Sequence, residues 1–228
     1  SFRMKEHVER LYRSLKYVRI DPGLSMNEML DLSEEVIRRN EDKRKEIGDF
    51  HISQFVTRGQ GRRAWNSESP TVCVKVAPIP FDMFAHAYSN GMHGSITRTR
   101  SYSPEELDPK VKSYNRMNFN LAELEANDVD PGAWPILRDE NGNITEGSGY
   151  NVLMVTDGVI RSGTDRALLQ GVSRGMVFDL AKQLGIPVSE EDLQPYDLYT
   201  ADEVFFVSTS YCVLPVTMVD KREIGTGK

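Results

Sequence analysis

The residues of this chain that could do chemistry are a glutamate beside a glycine-rich turn, a lysine placed before a helix, and scattered hydroxyls and arginines. In Thr145-Glu146-Gly147-Ser148-Gly149-Tyr150-Asn151-Val152-Leu153-Met154-Val155, an acid precedes a Gly-Ser-Gly turn, and the stretch closes on an apolar run. Such a run suits a buried strand and carries the acid into the edge of a core. A buried acid needs a cationic partner, which in an apolar setting can be a protonated ring nitrogen, and the glycines let the backbone approach a flat ligand. Taken alone, the stretch reads sooner as an ordinary solvated turn.

Lys112 stands immediately before a helix predicted over 113–126, with Met117, Leu121, Leu124 and Ala122 as its apolar side. The positive end of the helix dipole would lower the lysine's pKa there, as an amine nucleophile requires. Most lysines are solvated, so position alone proves little. Gly171-Val172-Ser173 opens another predicted helix, whose first N–H groups beside a glycine and a hydroxyl form a phosphate site in waiting, although any helix start looks similar. Ser208-Thr209-Ser210 is a hydroxyl cluster at a strand end. Arg10 lies off the stripe of its own helix, either solvated or turned toward an anion. Arg58-Gly59-Gln60-Gly61-Arg62-Arg63 holds three arginines within six residues and is no dinucleotide fingerprint, because no helix follows with a third glycine.

These residues must be positioned by the elements around them. Met4, Val8, Leu11, Leu15 and Val18 recur at helical spacing and predict a helix over 4–17. Ser25 and Glu28 form a capping box for a second helix that ends near Asn40. Residues 50–57 and 71–77 read as paired strands, and 94–100 as another. Pro78-Ile79-Pro80-Phe81 breaks the pattern, so a small domain over 1–80, a connection over 81–92 and a large domain over 93–228 are expected. From Trp134 onward, short strands form a meander, interrupted by the Gly171 helix, which stops at Gly185 and Pro187.

Composition excludes several classes. A chain of 228 residues can bury a sizeable core, and its net charge of −6 argues against a nucleic-acid surface. No run reaches the length of a membrane span and no signal-peptide pattern opens the chain. Cys73 and Cys212 sit in apolar segments and read as buried thiols in a reducing compartment, implying a cytoplasmic protein. The four histidines show no metal-ligand spacing, so no metal is expected.

A lysine before a helix, Glu-Gly-Ser-Gly-x-Asn on a strand, Gly-Val-Ser-Arg opening a helix, and Ala-Asp-Glu-Val-Phe-Phe-x-Ser-Thr together resemble one family. It is that of the class IV, fold type IV pyridoxal-phosphate aminotransferases, which include branched-chain amino acid, D-amino acid and (R)-selective amine transaminases. The match runs in order from Glu6-His7-Val8-Glu9-Arg10-Leu11 to Pro215. The resemblance implies an α+β, two-domain fold with the cofactor, pyridoxal 5'-phosphate, at the domain interface, the small domain incomplete at its N-terminus, and a homodimer. Lys112 would carry the cofactor and shuttle the proton. Glu146 would pair with the ring nitrogen, and Arg10, Val172, Ser173 and Thr209 would hold the phosphate. Ser210 and Arg58 or Arg63 would lie near the substrate carboxylate.

Family members begin with strands ahead of the first helix and end with a helix beyond the last strand seen here, so the chain is expected to be a fragment. Branched-chain enzymes carry a tyrosine five residues after the lysine, where this chain has Met117. The Glu146 stretch and Val159-Ile160-Arg161-Ser162 look closer to the (R)-amine transaminases, and Asn115-Arg116 resembles a lyase of the same fold, aminodeoxychorismate lyase. Cations at 58, 62 and 63 suit a substrate with a carboxylate. The expected function is therefore amino transfer from a branched-chain-like amino acid to a 2-oxo acid. The (R)-amine or D-amino acid transaminases, the lyase, and a non-catalytic binding module are the alternatives.

Overall fold

The helical stripe at the start of the chain folds as expected. The computed structural model, which describes residues 2–66 and 68–226, has α1 over Met4–Val18 with Val8 and Leu15 buried. Two compact units are present, one ending at Pro80 and the other beginning at Phe81. In the first, α2 (Met26–Arg39) opens on the expected capping box: Glu28 N–H donates to Ser25 Oγ at 3.3 Å, and Ser25 N–H to Glu28 Oε2 at 2.7 Å. A short α3 (Glu41–Ile47) follows, then β1 (Phe50–Val56) and β2 (Val72–Pro78), paired antiparallel. Gln54 Nε2 donates to Ser33 Oγ at 3.0 Å, pinning β1 to the buried side of α2.

The second unit is a large sheet with helices on it. Residues 81–92, expected as a connection, carry a 3-10 turn (Phe81–Met83) and α4 (Ala87–Asn90), and Phe84 packs its ring on Tyr211 at 5.3 Å. After β3 (Met92–Arg100) come α5 (Met117–Val129), β4 (Trp134–Arg138), β5 (Glu146–Gly147), β6 (Tyr150–Thr156) and β7 (Val159–Ser162). The chain continues through α6 (Val172–Leu184), β8 (Val188–Glu190), α7 (Pro195–Tyr199), β9 (Glu203–Ser208), β10 (Cys212–Val219) and β11 (Arg222–Glu223).

The strands run in the order β4-β3-β10-β9-β6-β7-β8, with β5 on β6 and β11 on β10. The sheet also curls back on itself. Arg138 at the end of β4 bridges Ile144, and Thr145 N–H donates to Leu137 O at 3.0 Å, so the segment leading into β5 returns along the β4 edge. Inside this ring Trp134, Tyr150 and Phe206 meet, with centroids of Tyr150 and Phe206 4.4 Å apart and those of Trp134 and Phe206 6.1 Å apart. Gly94 leaves room for Ile136 beside them, since a Cβ at 94 would fall 2.7 Å from Ile136 Cδ1.

Three expectations are corrected. The helix expected over 113–126 begins at Met117 instead, so Lys112 lies in irregular chain five residues before the first helical residue. Ser113 N–H closes a tight turn on Val111 O at 2.8 Å, and Arg116 becomes the N-cap. The dipole argument for Lys112 falls with this, because the effect fades within the first turn. The apolar side expected for α5 is also divided: Ala122 and Ala126 are fully buried while Met117 is 65% exposed and Leu121 and Leu124 are exposed. Small side chains let α5 approach β3, where Glu125 accepts from Arg98 N–H at 2.8 Å and Thr99 Oγ1 at 2.7 Å. Finally, the thiols are not buried. Cys212 is exposed at the β9–β10 turn with φ 60°, and Cys73 is half-buried on a two-stranded sheet.

Candidate active site

Glu146 is not in a solvated turn. The two-residue connection Ser148-Gly149, with Gly149 at φ 101°, folds β5 back on β6 so that Gly147 faces Tyr150 and Glu146 faces Asn151. Glu146 is only 6% exposed, and its Oε2 accepts the Leu169 N–H at 3.1 Å. Asn151, equally buried, donates from Nδ2 to Leu169 O at 2.9 Å. Residue 169 is thus bonded through its N–H to the acid and through its carbonyl to the amide opposite.

The start of α6 lies against the same amide. Gly171 is the N-cap, and a Cβ on it would fall 2.0 Å from Asn151 Oδ1, so only glycine admits this approach. Two residues on, Ser173 is 8% exposed and its buried Oγ has no hydrogen-bond partner among the described residues. The N–H groups of Val172 and Ser173 belong to the first helical turn, which has no intrahelical acceptor. Arg174 anchors this helix end: its buried guanidinium donates to Ser162 Oγ at 2.8 Å and Gly163 O at 2.9 Å, pairs with Glu190, and lies over the Phe178 ring.

Strand pairing brings the hydroxyl cluster to the same end of the sheet. Asn151 is in register with Val207, and β9 ends one residue later at Ser208. Thr209 is exposed and Ser210 half-buried in the turn that follows, with Ser210 N–H donating to Ser208 Oγ at 3.2 Å. Burial pushes the pKa values of the Tyr150 and Tyr211 hydroxyls well above the usual 10.0, and Tyr150 donates to Pro135 O at 2.7 Å.

Lys112 is exposed, in the loop between β3 and α5. That loop is tied to the Glu146 hairpin by Arg116, whose Nη2 donates to Ser148 Oγ at 2.9 Å while Ser148 donates to Glu123. Lys110 is committed elsewhere, 3.0 Å from Asp108 Oδ1.

The remaining candidates belong to the first unit. Arg10 is half-buried on α1, its Nη2 3.5 Å from His7 Nδ1. Arg58 directs its guanidinium at backbone carbonyls, those of Val18, Arg19 (3.4 Å) and Ala64 (3.3 Å), where it caps the C-terminal end of α1. Arg63 is exposed, 5.5 Å from the centre of the Trp65 ring.

Asn151, Leu169 and Arg116 are the site's unexpected members. A two-residue turn at Ser148-Gly149 forces the pairing of 146 with 151, so the signal for Asn151 was present in the spacing. No pattern in the chain points to Leu169, because it contributes backbone.

The chain is similar to known proteins of one family. The family model for amino-transferase class IV matches residues 1–219. A putative branched-chain-amino-acid aminotransferase of Methanocaldococcus jannaschii is 35% identical over 229 residues, covering 98% of this chain and 75% of that protein. The branched-chain-amino-acid aminotransferase of Escherichia coli (strain K12) is 30% identical over 234 residues, covering 100% of this chain and 73% of the relative. A crystal structure of a T.th. branched-chain amino acid aminotransferase with pyridoxamine 5'-phosphate superposes with a TM-score of 0.89 at 31% identity, covering 99% of this chain and 73% of that one. Fold and site together define a pyridoxal-phosphate enzyme of fold type IV. The chain belongs to the class IV aminotransferase family.

The residues present fit the family's cofactor. A buried hydroxyl without a partner at the start of a thirteen-residue helix suits a phosphate, and a buried carboxylate fixed by a backbone N–H suits a protonated ring nitrogen. Among the described residues no cluster of His, Cys, Asp and Glu could hold a metal ion, and no helix is long and apolar enough to cross a membrane.

Proposed function

We propose that this chain moves an amino group from a branched-chain amino acid to a 2-oxo acid by a ping-pong mechanism. The names of its 35% and 30% identical relatives support the donor class. Pyridoxal 5'-phosphate, when bound, supplies the electron sink that stabilises negative charge at the carbon bearing the amino group. In this reading the Lys112 amine moves the proton at that carbon. Glu146 keeps a ring nitrogen protonated through its carboxylate, whose orientation the Leu169 N–H fixes.

Ser173 Oγ, the N–H groups at Val172 and Ser173, and the Thr209 hydroxyl hold the phosphate, with Arg10 assigned to it by the family motif. By the family resemblance, the substrate carboxylate is assigned to Ser210 and to Arg58 or Arg63. Arg58 is the weaker choice for that role, since its donors already serve carbonyls of the first unit. We assign residues 1–80 as the small domain, 81–92 as the connection and 93–228 as the large domain. We further propose a cytoplasmic homodimer, which the family resemblance and the two free thiols support.

The observation that carries the cofactor part of this reading is the Ser173 hydroxyl, without a hydrogen-bond partner among the described residues, two residues from the glycine that packs on the amide facing Glu146. The test is a donor panel of L-leucine, D-alanine and (R)-1-phenylethylamine, each with pyruvate and 2-oxoglutarate. Transfer from L-leucine is expected. Activity on the amine with none on L-leucine would favour the alternative that Met117 suggests, and pyruvate release from aminodeoxychorismate without transfer would exclude both.

A further inference from the structure

Asn151 touches both halves of the site, and none of the roles assigned above uses it. We infer that Asn151 is a positioning residue for cofactor binding: its side-chain amide sets the spacing between the Glu146 carboxylate and the N-terminus of α6. The inference rests on the functional reading above.

An amide has a donor end and an acceptor end, and here the two do different work. Nδ2 donates to Leu169 O at 2.9 Å, and Leu169 in turn gives its N–H to Glu146 Oε2 at 3.1 Å. Asn151 and Glu146 sit opposite each other in the hairpin, so residue 169 is bonded to both members of one strand pair. Oδ1 faces Gly171, where a Cβ would come within 2.0 Å of it. From Gly171 the chain enters the helix at once, and Ser173 Oγ follows two residues later. One rigid, buried group therefore fixes the residue that orients the acid and the glycine that opens the phosphate cradle.

Three variants test this without recourse to turnover. Asn151→Ala removes the donor to Leu169, Asn151→Asp sets an acceptor against its carbonyl, and Gly171→Ala pushes the amide aside without altering position 151. Ser95→Ala is the control: it removes a buried hydroxyl bonded to Asp220 Oδ1 at 3.1 Å, remote from these contacts in the sequence. Each chain is titrated with pyridoxal phosphate and with unphosphorylated pyridoxal, followed by absorbance, alongside thermal unfolding.

We expect the Asn151 and Gly171 variants to bind pyridoxal phosphate about tenfold more weakly and to lose preference for it over pyridoxal. Ser95→Ala should lose stability and keep both. Parental affinity and preference in Asn151→Ala and Gly171→Ala would overturn the inference. So would losses no larger than those of Ser95→Ala at the same drop in thermal midpoint. If the parent itself takes up no pyridoxal phosphate, the functional reading fails and the inference with it, a result distinct from variants that match a binding-competent parent.

Discussion

Arg116 donates to the hydroxyl of Ser148 at 2.9 Å, so the loop that carries Lys112 is fastened to the turn that follows Glu146. The guanidinium also lies 4.7 Å from the centre of the Phe119 ring, which holds it at the start of α5. Arg116→Ala should therefore misplace Lys112 relative to the acid more than it loosens the fold. Turnover is expected to fall about tenfold, with a loss of about 1 kcal/mol in urea unfolding. Unchanged turnover would show the fastening to be irrelevant to the lysine.

Lys112 and Lys110 lie two residues apart, and it is the family motif that selects Lys112. Lys110 is paired with Asp108 at 3.0 Å within its own turn, which commits its amine to a carboxylate partner. Borohydride reduction of the cofactor-loaded chain, followed by peptide mapping, should place the pyridoxyl group on Lys112. Label on Lys110 would reverse the assignment.

Glu146→Gln keeps an oxygen able to accept the Leu169 N–H and removes the charge. Cofactor uptake should survive, because the hairpin and the start of α6 keep their contacts. Turnover should fall by far more than affinity, since an uncharged amide cannot favour a protonated ring nitrogen. Equal turnover in parent and variant would return Glu146 to a structural role.

Local patterns are legible where the signal lies within one short segment. Ser25 with Glu28, and Gly171 before Val172, mark helix starts in the sequence as they do in the fold. What escaped depends on contacts between distant segments. The start of α5 is displaced to Met117 because residues 111–116 are held by a tight turn and by Ser148, thirty-two residues on from Arg116. Its buried side is set by the close approach of β3, which selects Ala122 and Ala126 over the larger leucines. Glu146 taken alone reads as a solvated acid; its burial follows from the 144–147 segment returning along β4, a closure no local pattern encodes.

Acid should weaken one of these long-range fastenings. Burial pushes the Glu125 carboxyl up, but hydrogen bonds from the Thr99 hydroxyl, Thr99 N–H and Arg98 N–H outweigh it and hold the group below its usual 4.5. With a depressed folded-state pKa, the unfolded chain binds the proton more tightly, so this contribution to stability is fully present above about pH 4.5 and is lost as pH falls through the folded value. Glu125→Gln should therefore be less stable than the parent near neutrality, and the gap should close in acid. A gap in unfolding midpoint that stays constant down to about pH 3 would show that the carboxylate's charge contributes nothing.

Gly147 and Gly149 flank one serine in the hairpin turn and should respond differently to the same substitution. A Cβ on Gly147 would fall 2.0 Å from Cε2 of Tyr150, whose ring is packed against Trp134 and Phe206 and whose hydroxyl is bonded to Pro135 O. Gly149 has open space around its Cα but sits at φ 101°, where only the backbone resists a side chain. Gly149→Ala should therefore cost about 1 kcal/mol of local strain. Gly147→Ala should cost about 2–3 kcal/mol, because the tyrosine cannot move without breaking an aromatic cluster and stranding its hydroxyl. Urea unfolding of the two variants measures the difference directly. If Gly149→Ala proves the more damaging, the Tyr150 ring is not the wall against which the Glu146 strand is set.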